Sequence, residues 1–152
     1  MLSKRAKYGI RALVHLAQLQ GKGPIQIRDI SEELNIPRKF LEAILLDLRN
    51  EGILQSRKGK EGGYFMERSP DTIALSRVIR LIDGPLAAVP CVSQTAYARC
   101  DDCPDEKQCV IRWIMKEVRD STAKILDNTT LDQLMIKAQQ LSQSPPGIEY
   151  QI

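Results

Sequence analysis

Histidine is nearly absent from this sequence, which argues against most catalytic and metal sites built on imidazole. The chain has one histidine, and it shows neither a glycine-rich nucleotide loop nor a Ser/His/Asp set. That residue, His15, lies among Leu13, Val14 and Leu16 of a predicted helix. We therefore interpret His15 as a packed or half-exposed helix residue rather than a ligand.

Long apolar runs are also lacking. No stretch approaches the roughly 20 apolar residues that a membrane-spanning helix needs. Neither a signal peptide nor an internal repeat is visible. We therefore expect a cytoplasmic protein without membrane contact. Its 152 residues suffice for one compact domain with a real core, plus an extension.

Positive charge is concentrated in the first half of the chain. Residues 1–68 hold 13 Lys/Arg against 8 Asp/Glu, whereas residues 69–152 hold 9 against 11. A basic N-terminal half suits a polyanionic partner such as nucleic acid. A solvated charged face would give the same count, so the count needs support from a motif.

That support comes from a predicted helix-turn-helix. Ser3 is a plausible N-cap for a first helix that ends by Gly21. A short helix over 27–34, a turn over 35–37 and a third helix that starts at Pro37 follow. The third helix has an apolar stripe with helical spacing and ends before Gly52; the stripe consists of Leu41, Ile44, Leu45 and Leu48.

A basic hairpin is predicted directly after the third helix. Apolar segments over 53–57 and 64–66 flank a tip with three glycines. A helix and a hairpin in this order form a winged helix-turn-helix, whose helix enters the major groove.

The predicted DNA contacts fall on the third helix and the hairpin. We expect Arg38 and Lys39 to meet DNA at the start of the helix. Glu42 either accepts a hydrogen bond from a cytosine amine or lies in solvent. Tyr64 either contacts phosphate or packs at the hairpin base. Three further cations on the wing should meet phosphate: Arg57, Lys58 and Lys60.

The second half of the chain predicts a dimerisation helix. A short helix over 75–82 stops at Asp83-Gly84-Pro85, and residues 86–108 are irregular. Helical spacing returns from about Glu106 to Asp127 and predicts a partner helix. Its apolar face contains Ile111, Ile114, Met115, Val118, Thr122 and Ile125, with Trp113 also expected in the dimer core. Thr130 and Gln133 form a capping box for a last helix that ends near Leu141.

These elements predict a mainly α fold with a small β wing. The expected organisation is a winged helix-turn-helix over 1–84, a cysteine-containing sensor loop over 85–108, a dimerisation helix and C-terminal helix over 109–142, and a flexible tail over 143–152.

All four cysteines lie within residues 91–109, among acidic residues that do not belong in a core. In a cytoplasmic chain such clustering indicates metal or redox chemistry. An iron–sulphur cluster, a four-thiolate zinc site, a C-x-x-C thiol switch and plain packing remain open. The thiols in question are Cys91, Cys100, Cys103 and Cys109.

Over about residues 1–135 the chain resembles the Rrf-two (Rrf2) family of bacterial winged-helix transcription regulators. The resemblance rests on four segments and the late cysteines; the segments are YGIRAL (8–13), PRKFLE (37–42), RKGKEGGY (57–64) and IRLIDG (79–84). It implies a homodimer, crossed by the long C-terminal helices, that binds a near-palindromic operator in double-stranded DNA and probes redox or iron–sulphur status.

The resemblance also implies a ligand set. Cluster-binding members carry three cysteines here, which match Cys91, Cys103 and Cys109, with Cys100 additional. Where some members have a histidine after the last cysteine, this chain has Arg112, and where others have an aspartate in the first helix it has Lys7. Cys100 is therefore the candidate fourth ligand of a [2Fe–2S] or [4Fe–4S] cluster, with zinc as the alternative cofactor. Ordering of the loop by metal would then change the spacing of the two recognition helices.

Three other functions compete with a cluster-sensing repressor. A regulator with a structural zinc or thiol-switch site, or one controlled by a protein partner, would share the fold. A thiol–disulfide oxidoreductase using Cys100 and Cys103 lacks the expected βαβ surroundings, so no enzyme is predicted. A winged helix that binds only protein fits poorly with the basic wing.

Overall fold

The computed structural model describes residues 2–143, and within that range the chain forms six helices and one hairpin. The elements are α1 (Lys4–Gln18), α2 (Ile27–Leu34), α3 (Arg38–Asn50), β1 (Leu54–Arg57), β2 (Gly63–Met66), α4 (Leu75–Asp83), α5 (Val110–Asp127) and α6 (Leu131–Gln143). Two single 3-10 turns, Pro70–Thr72 and Pro90–Val92, precede α4 and α5. The mainly α fold class with a small wing is confirmed.

Local sequence signals set the ends of the first three helices. The Ser3 hydroxyl accepts a hydrogen bond from the Ala6 N–H at 3.0 Å and caps α1. Asn35 ends α2 in the left-handed conformation with φ 49°, and Gly52 follows α3 with φ 66°. Pro37 is the N-cap of α3, one residue before the helix that it was predicted to begin. The helix-turn-helix thus forms where the sequence predicts it.

The core lies where α1, α3 and α4 meet under the hairpin. The predicted stripe of α3 is fully buried, with Leu41, Ile44, Leu45 and Leu48 each 0% exposed. Gly9 allows α1 to approach α4 closely, because an added Cβ would lie 2.5 Å from Cδ1 of Ile82. Burial of this stripe fixes which side of α3 remains for a partner.

The hairpin has a third partner that the sequence analysis did not predict. β1 and β2 pair antiparallel, with Leu54 opposite Met66 and Arg57 opposite Gly63. Ile25 then pairs with Tyr64 through two backbone hydrogen bonds of 2.9 and 2.8 Å. The loop between α1 and α2 is thereby attached to the base of the wing.

The long helix begins later than predicted. α5 starts at Val110, not near Glu106, because Asp105 holds the preceding residues in a turn: its carboxylate accepts from the Lys107 N–H at 2.8 Å. Cys109 is the N-cap, and its sulphur accepts from the Arg112 N–H at 3.4 Å. No helix among residues 2–143 has the length and apolar character that a bilayer crossing requires.

The capping box of α6 is confirmed. The Thr130 N–H donates to the Gln133 side chain at 3.1 Å, and the Gln133 N–H donates to the Thr130 hydroxyl at 3.4 Å. α6 runs to Gln143 rather than to Leu141. The predicted tail lies outside the described residues, except for Gln143 itself.

Candidate nucleic-acid interface and cysteine site

A concave cleft of about 540 Å³ separates the start of α3 from the wing. We call it the basic cleft, because four of its lining side chains are cations and all four are exposed. The cations come from α2, α3 and the hairpin; they are Arg28, Arg38, Arg57 and Lys60. Positive charge on two facing walls suits a phosphate backbone that runs between them.

The structure brings part of the predicted DNA-binding set together. Arg38, Arg57, Lys60 and Tyr64 line the basic cleft. Lys39, Glu42 and Lys58 are exposed beside it and do not belong to its lining.

Arg38 is already paired in the free protein. Its Nε donates to Oε1 of Glu42 at 2.9 Å, one helical turn further along α3. Both side chains are about half exposed or more, so the pair adds little stability and opens easily. The pair therefore leaves Arg38 free to exchange Glu42 for another acceptor.

Backbone contacts hold the wing tip in place. The Gln26 side chain donates to the Lys60 carbonyl at 2.9 Å. Gly63 has φ 154°, and an added Cβ there would lie 2.2 Å from the Ile25 carbonyl oxygen. Tyr64 is half-buried against the core while its backbone pairs with Ile25. The packing role of Tyr64 is thus present, and the residue also lines the basic cleft.

Two candidate DNA-contacting residues, Arg28 and Phe40, were not predicted from the sequence. Arg28 of α2 is exposed in the basic cleft beside Asp29. Phe40 is 56% exposed on α3, and its ring meets that of Tyr8 edge-on at 6.5 Å between centroids. An exposed apolar side chain on a helix in the major groove can contact a thymine methyl. For Arg28, the only sequence signal of a DNA contact was the excess of positive charge in residues 1–68.

All four cysteines line a second cavity of about 560 Å³, which we call the cysteine cavity. Cys91 is buried in the 3-10 turn Pro90–Val92, and Cys109 caps α5. Cys100 and Cys103 come from the irregular segment between these elements and are partly exposed. The loop thus directs its four thiols to one cavity.

Within this cavity the thiols form two pairs. A hydrogen bond to Cys91 raises the pKa of Cys100, and burial and nearby negative charge raise it further. Burial, followed by the neighbouring Cys109 thiol, raises the pKa of Cys103. Cys100 therefore has Cys91 as a neighbour in the cavity, in addition to the Cys103 of the C-x-x-C spacing.

The four thiols line one cavity without converging on a single point. A zinc ion needs its ligands within about 2.3 Å of one point. Among residues 2–143, no three Cys, His, Asp or Glu side chains converge in a way that could hold one metal ion. A multi-atom iron–sulphur cluster instead takes thiolates spread around a cavity, as the cysteine cavity provides.

Polar contacts join the cysteine loop to α5, and α5 to α4. Arg119 of α5 is 14% exposed and donates to the Val92 carbonyl, next to Cys91. At the other end of α5, Arg80 of α4 pairs with Asp127 at 2.9 Å. Ser76 and Arg80 hydrogen-bond the carboxylate of Asp127 and lower its pKa.

The outer side of α5 is apolar and uncovered. No residue of α5 is buried. Ile111, Ile114, Val118 and Ile125 are 62%, 41%, 44% and 66% exposed, and Trp113 is 67% exposed. Contiguous exposed apolar surface of this kind marks an interaction site.

Known transcriptional regulators resemble nearly the whole chain. A sequence model of the Rrf2 family, described as an iron-dependent transcriptional regulator, matches residues 2–137. An rrf2-like HTH-type transcriptional regulator of Rhodobacter capsulatus is 39% identical over 138 residues, which cover 89% of this chain and 92% of the relative.

Solved structures agree with that match. The global cysteine regulator CymR of Bacillus subtilis superposes with a TM-score of 0.74 at 28% identity, covering 90% of this chain and 97% of CymR. IscR of T. potens gives a TM-score of 0.73 at 27% identity, covering 97% of this chain and 93% of IscR.

Proposed function

This chain belongs to the Rrf2 family of transcriptional regulators, and we propose that it is a homodimeric repressor that senses iron–sulphur or redox status. Members of this family bind DNA through a winged helix and are not enzymes. The observation that carries the proposal is the basic cleft between α3 and the wing. Chromosomal DNA as the partner would place the protein in the cytoplasm.

The basic cleft accounts for DNA binding by two kinds of contact. Arg57 and Lys60 on the wing suit phosphate, which gives affinity without sequence information. Arg38 and Lys39 at the start of α3, joined by Glu42 and Phe40, suit base edges in the major groove. A near-palindromic double-stranded operator would be read by two such helices of a twofold dimer.

Gel shifts at several salt concentrations test this interface. Replacing Arg57, Lys58 and Lys60 together with alanine should weaken binding to all sequences. Because a dimer loses six cations, the slope of log affinity against log salt should fall in magnitude by about 5–6. A control variant with alanine at Lys107, Lys116 and Lys124 removes equal charge from exposed positions outside the cleft and should keep the slope. An unchanged slope and affinity in the wing variant would refute the wing assignment.

The exposed side of α5 supports the homodimer. Ridges of apolar residues that a single protomer leaves open would be covered by the same helix of a second copy. Twofold pairing would also hold the two α3 helices at a fixed separation, as a palindromic site needs. Sedimentation of the wild type as a monomer at micromolar concentration would refute the homodimer.

The cysteine cavity supports the sensor. Cys91, Cys103 and Cys109 with Cys100 as the fourth ligand would hold a [2Fe–2S] or [4Fe–4S] cluster there, and such a cluster, when bound, supplies sensitivity to oxidation. The protein's own part is to keep four thiols around one cavity and to release their protons when metal binds. The family model's description as iron-dependent agrees with this use of the cavity.

Anaerobic reconstitution with iron and sulphide tests the sensor. Alanine at Cys91, Cys103 or Cys109 should abolish cluster absorbance while helical content stays nearly intact. Loss of the cluster in Cys100→Ala supports an all-cysteine site, whereas its retention indicates a different fourth ligand. A wild type that binds no iron but one zinc ion per protomer would replace the cluster with a structural metal site.

Polar contacts connect the cysteine cavity to the start of α1. The Arg119–Val92 contact joins the loop to α5, and the Asp127–Arg80 pair joins α5 to α4. Ser3 then bonds to Asp83, with 2.8 Å between the Ser3 nitrogen and the Asp83 carboxylate. We propose that movement of the loop is transmitted along these contacts toward the helix-turn-helix.

The paired thiols favour a thiol switch as the second candidate function. Cys91 is a neighbour of Cys100, and Cys109 is a neighbour of Cys103. A peroxide could take two electrons and two protons from each pair to give a disulfide and water. Peptide mapping after peroxide treatment of metal-free protein should then find these two bridges and not Cys100–Cys103. A switch of this kind would change DNA affinity without any iron.

A further inference from the structure

Arg112 has a buried nitrogen that lacks a partner. Among side-chain nitrogens and oxygens of residues 2–143, its Nε is the one buried atom without a hydrogen bond. Glu106 Oε1 lies 3.8 Å away, which is too far for a hydrogen bond. Because a buried donor without an acceptor is costly, this N–H indicates an acceptor still to be added.

The position of Arg112 shows where that acceptor belongs. Arg112 lies in the first turn of α5, three residues after Cys109, and lines the cysteine cavity with all four thiols. The nearest carboxylate is already engaged elsewhere. The Tyr97 hydroxyl donates to both oxygens of Glu106 at 2.8 and 2.9 Å, which holds Glu106 at a distance from Arg112.

We infer that Arg112 is a positioning residue for the cluster, donating its Nε–H to a cluster sulphur and favouring the reduced state with its charge. This inference rests on the proposed sensor. A cluster held by four thiolates is negatively charged, and uptake of one electron from an external one-electron donor makes it more so. No bond to a protein atom forms or breaks in that step. A guanidinium in the cavity wall stabilises the more negative state and raises the reduction potential.

Glu106 acts against Arg112. Its carboxylate lies between the guanidinium and Tyr97, and its negative charge lowers the net positive field at the cavity. Removal of the Glu106 charge should therefore raise the potential, opposite to removal of Arg112. The sign of the two changes distinguishes an electrostatic role from a loss of packing, which would not reverse.

Spectroelectrochemical titration of anaerobically reconstituted protein tests the inference. Arg112→Gln should lower the reduced-to-oxidised ratio at a fixed potential about tenfold, or about 59 mV for one electron. Arg112→Lys, which keeps the charge and loses the Nε–H, should fall between this variant and the wild type. Lys116→Gln removes one charge from α5 outside the cavity and should leave the potential unchanged.

The outcomes separate this inference from the proposed sensor. A cluster that assembles fully in Arg112→Gln with the wild-type potential overturns the role of Arg112 alone. If the Gln variant holds no cluster, Arg112→Lys decides: a wild-type potential there overturns the hydrogen bond, and an intermediate one supports it. A wild type that takes up no iron overturns both the sensor and the role of Arg112.

Discussion

Replacing Ile114 with aspartate is expected to separate the proposed dimer into single chains. Ile114 lies in the middle of the exposed apolar side of α5 and is 41% exposed in one protomer. An aspartate at this position would place a charge within the apolar surface that the proposed dimer covers. The variant chain should still fold, because no residue of α5 is buried within its own protomer.

The exposed fractions allow the size of the effect to be worked out. The exposed fractions add up to roughly two whole apolar side chains for the set Ile111, Ile114, Val118 and Ile125. Burial of that surface in a dimer would contribute about 3–6 kcal/mol of association free energy per protomer. The dimer doubles this value, which is comparable with the roughly 4–15 kcal/mol cost of association. An uncompensated buried charge costs roughly 3–5 kcal/mol. Two per dimer should weaken dimerisation by about 6 kcal/mol or more, which is roughly 10⁴-fold.

Sedimentation velocity over a range of protein concentrations measures this change. Lys116→Gln is the matched control, since it alters the net charge by the same amount on nearly the opposite side of α5. Circular dichroism should show similar helix content in both variants. An Ile114→Asp protein that dimerises as tightly as the wild type would refute the assignment of this face.

Two further predictions concern the wing and the α4–α5 contact. Gly63→Ala should lower the free energy of unfolding in urea by about 1–3 kcal/mol, because its Cβ would displace the Ile25 carbonyl. Gly59→Ala is the control: its Cβ would have open space around it, so the loss should be smaller. Equal losses in the two variants would contradict the argument. The contacts that lower the pKa of Asp127 stabilise the fold above the usual aspartate pKa, and this stability is lost as pH falls through the depressed value. Asp127→Asn should therefore lose about 0.5–1 kcal/mol at neutral pH and little at strongly acid pH, and a loss that is the same at both pH values would rule out the ionic contact.

The helix-turn-helix could be predicted because its signals are local. The apolar stripe from Leu41 to Leu48 repeats within one helix. Gly52 marks the end of that helix, and the capping box at Thr130 marks the start of α6, each from residues close in sequence. Such patterns fix an element before any tertiary contact is known. The start of α5 was wrong because the spacing of apolar residues does not reveal the turn at Asp105.

The parts that could not be predicted depend on contacts distant in sequence. Ile25 pairs with Tyr64, and two helices lie between these residues in the sequence. A contact between two single residues produces no repeating pattern of apolar residues from which it could be predicted. The C-x-x-C spacing indicates that Cys100 lies near Cys103, but it does not reveal that the loop also brings Cys91 beside Cys100. Arg112 Nε is buried without a hydrogen-bond partner because of how α5 packs against the loop, and no sequence motif predicts that packing.

The separation of α5 from the basic cleft has a genetic consequence. No residue of α5 lines the cleft, so a chain whose wing cations are replaced keeps the α5 surface proposed for dimerisation. Co-expressed with the wild type, it would enter mixed dimers in which one half cannot hold its half-site. Such an allele is expected to be dominant negative, and the added Ile114→Asp change should make the same allele recessive.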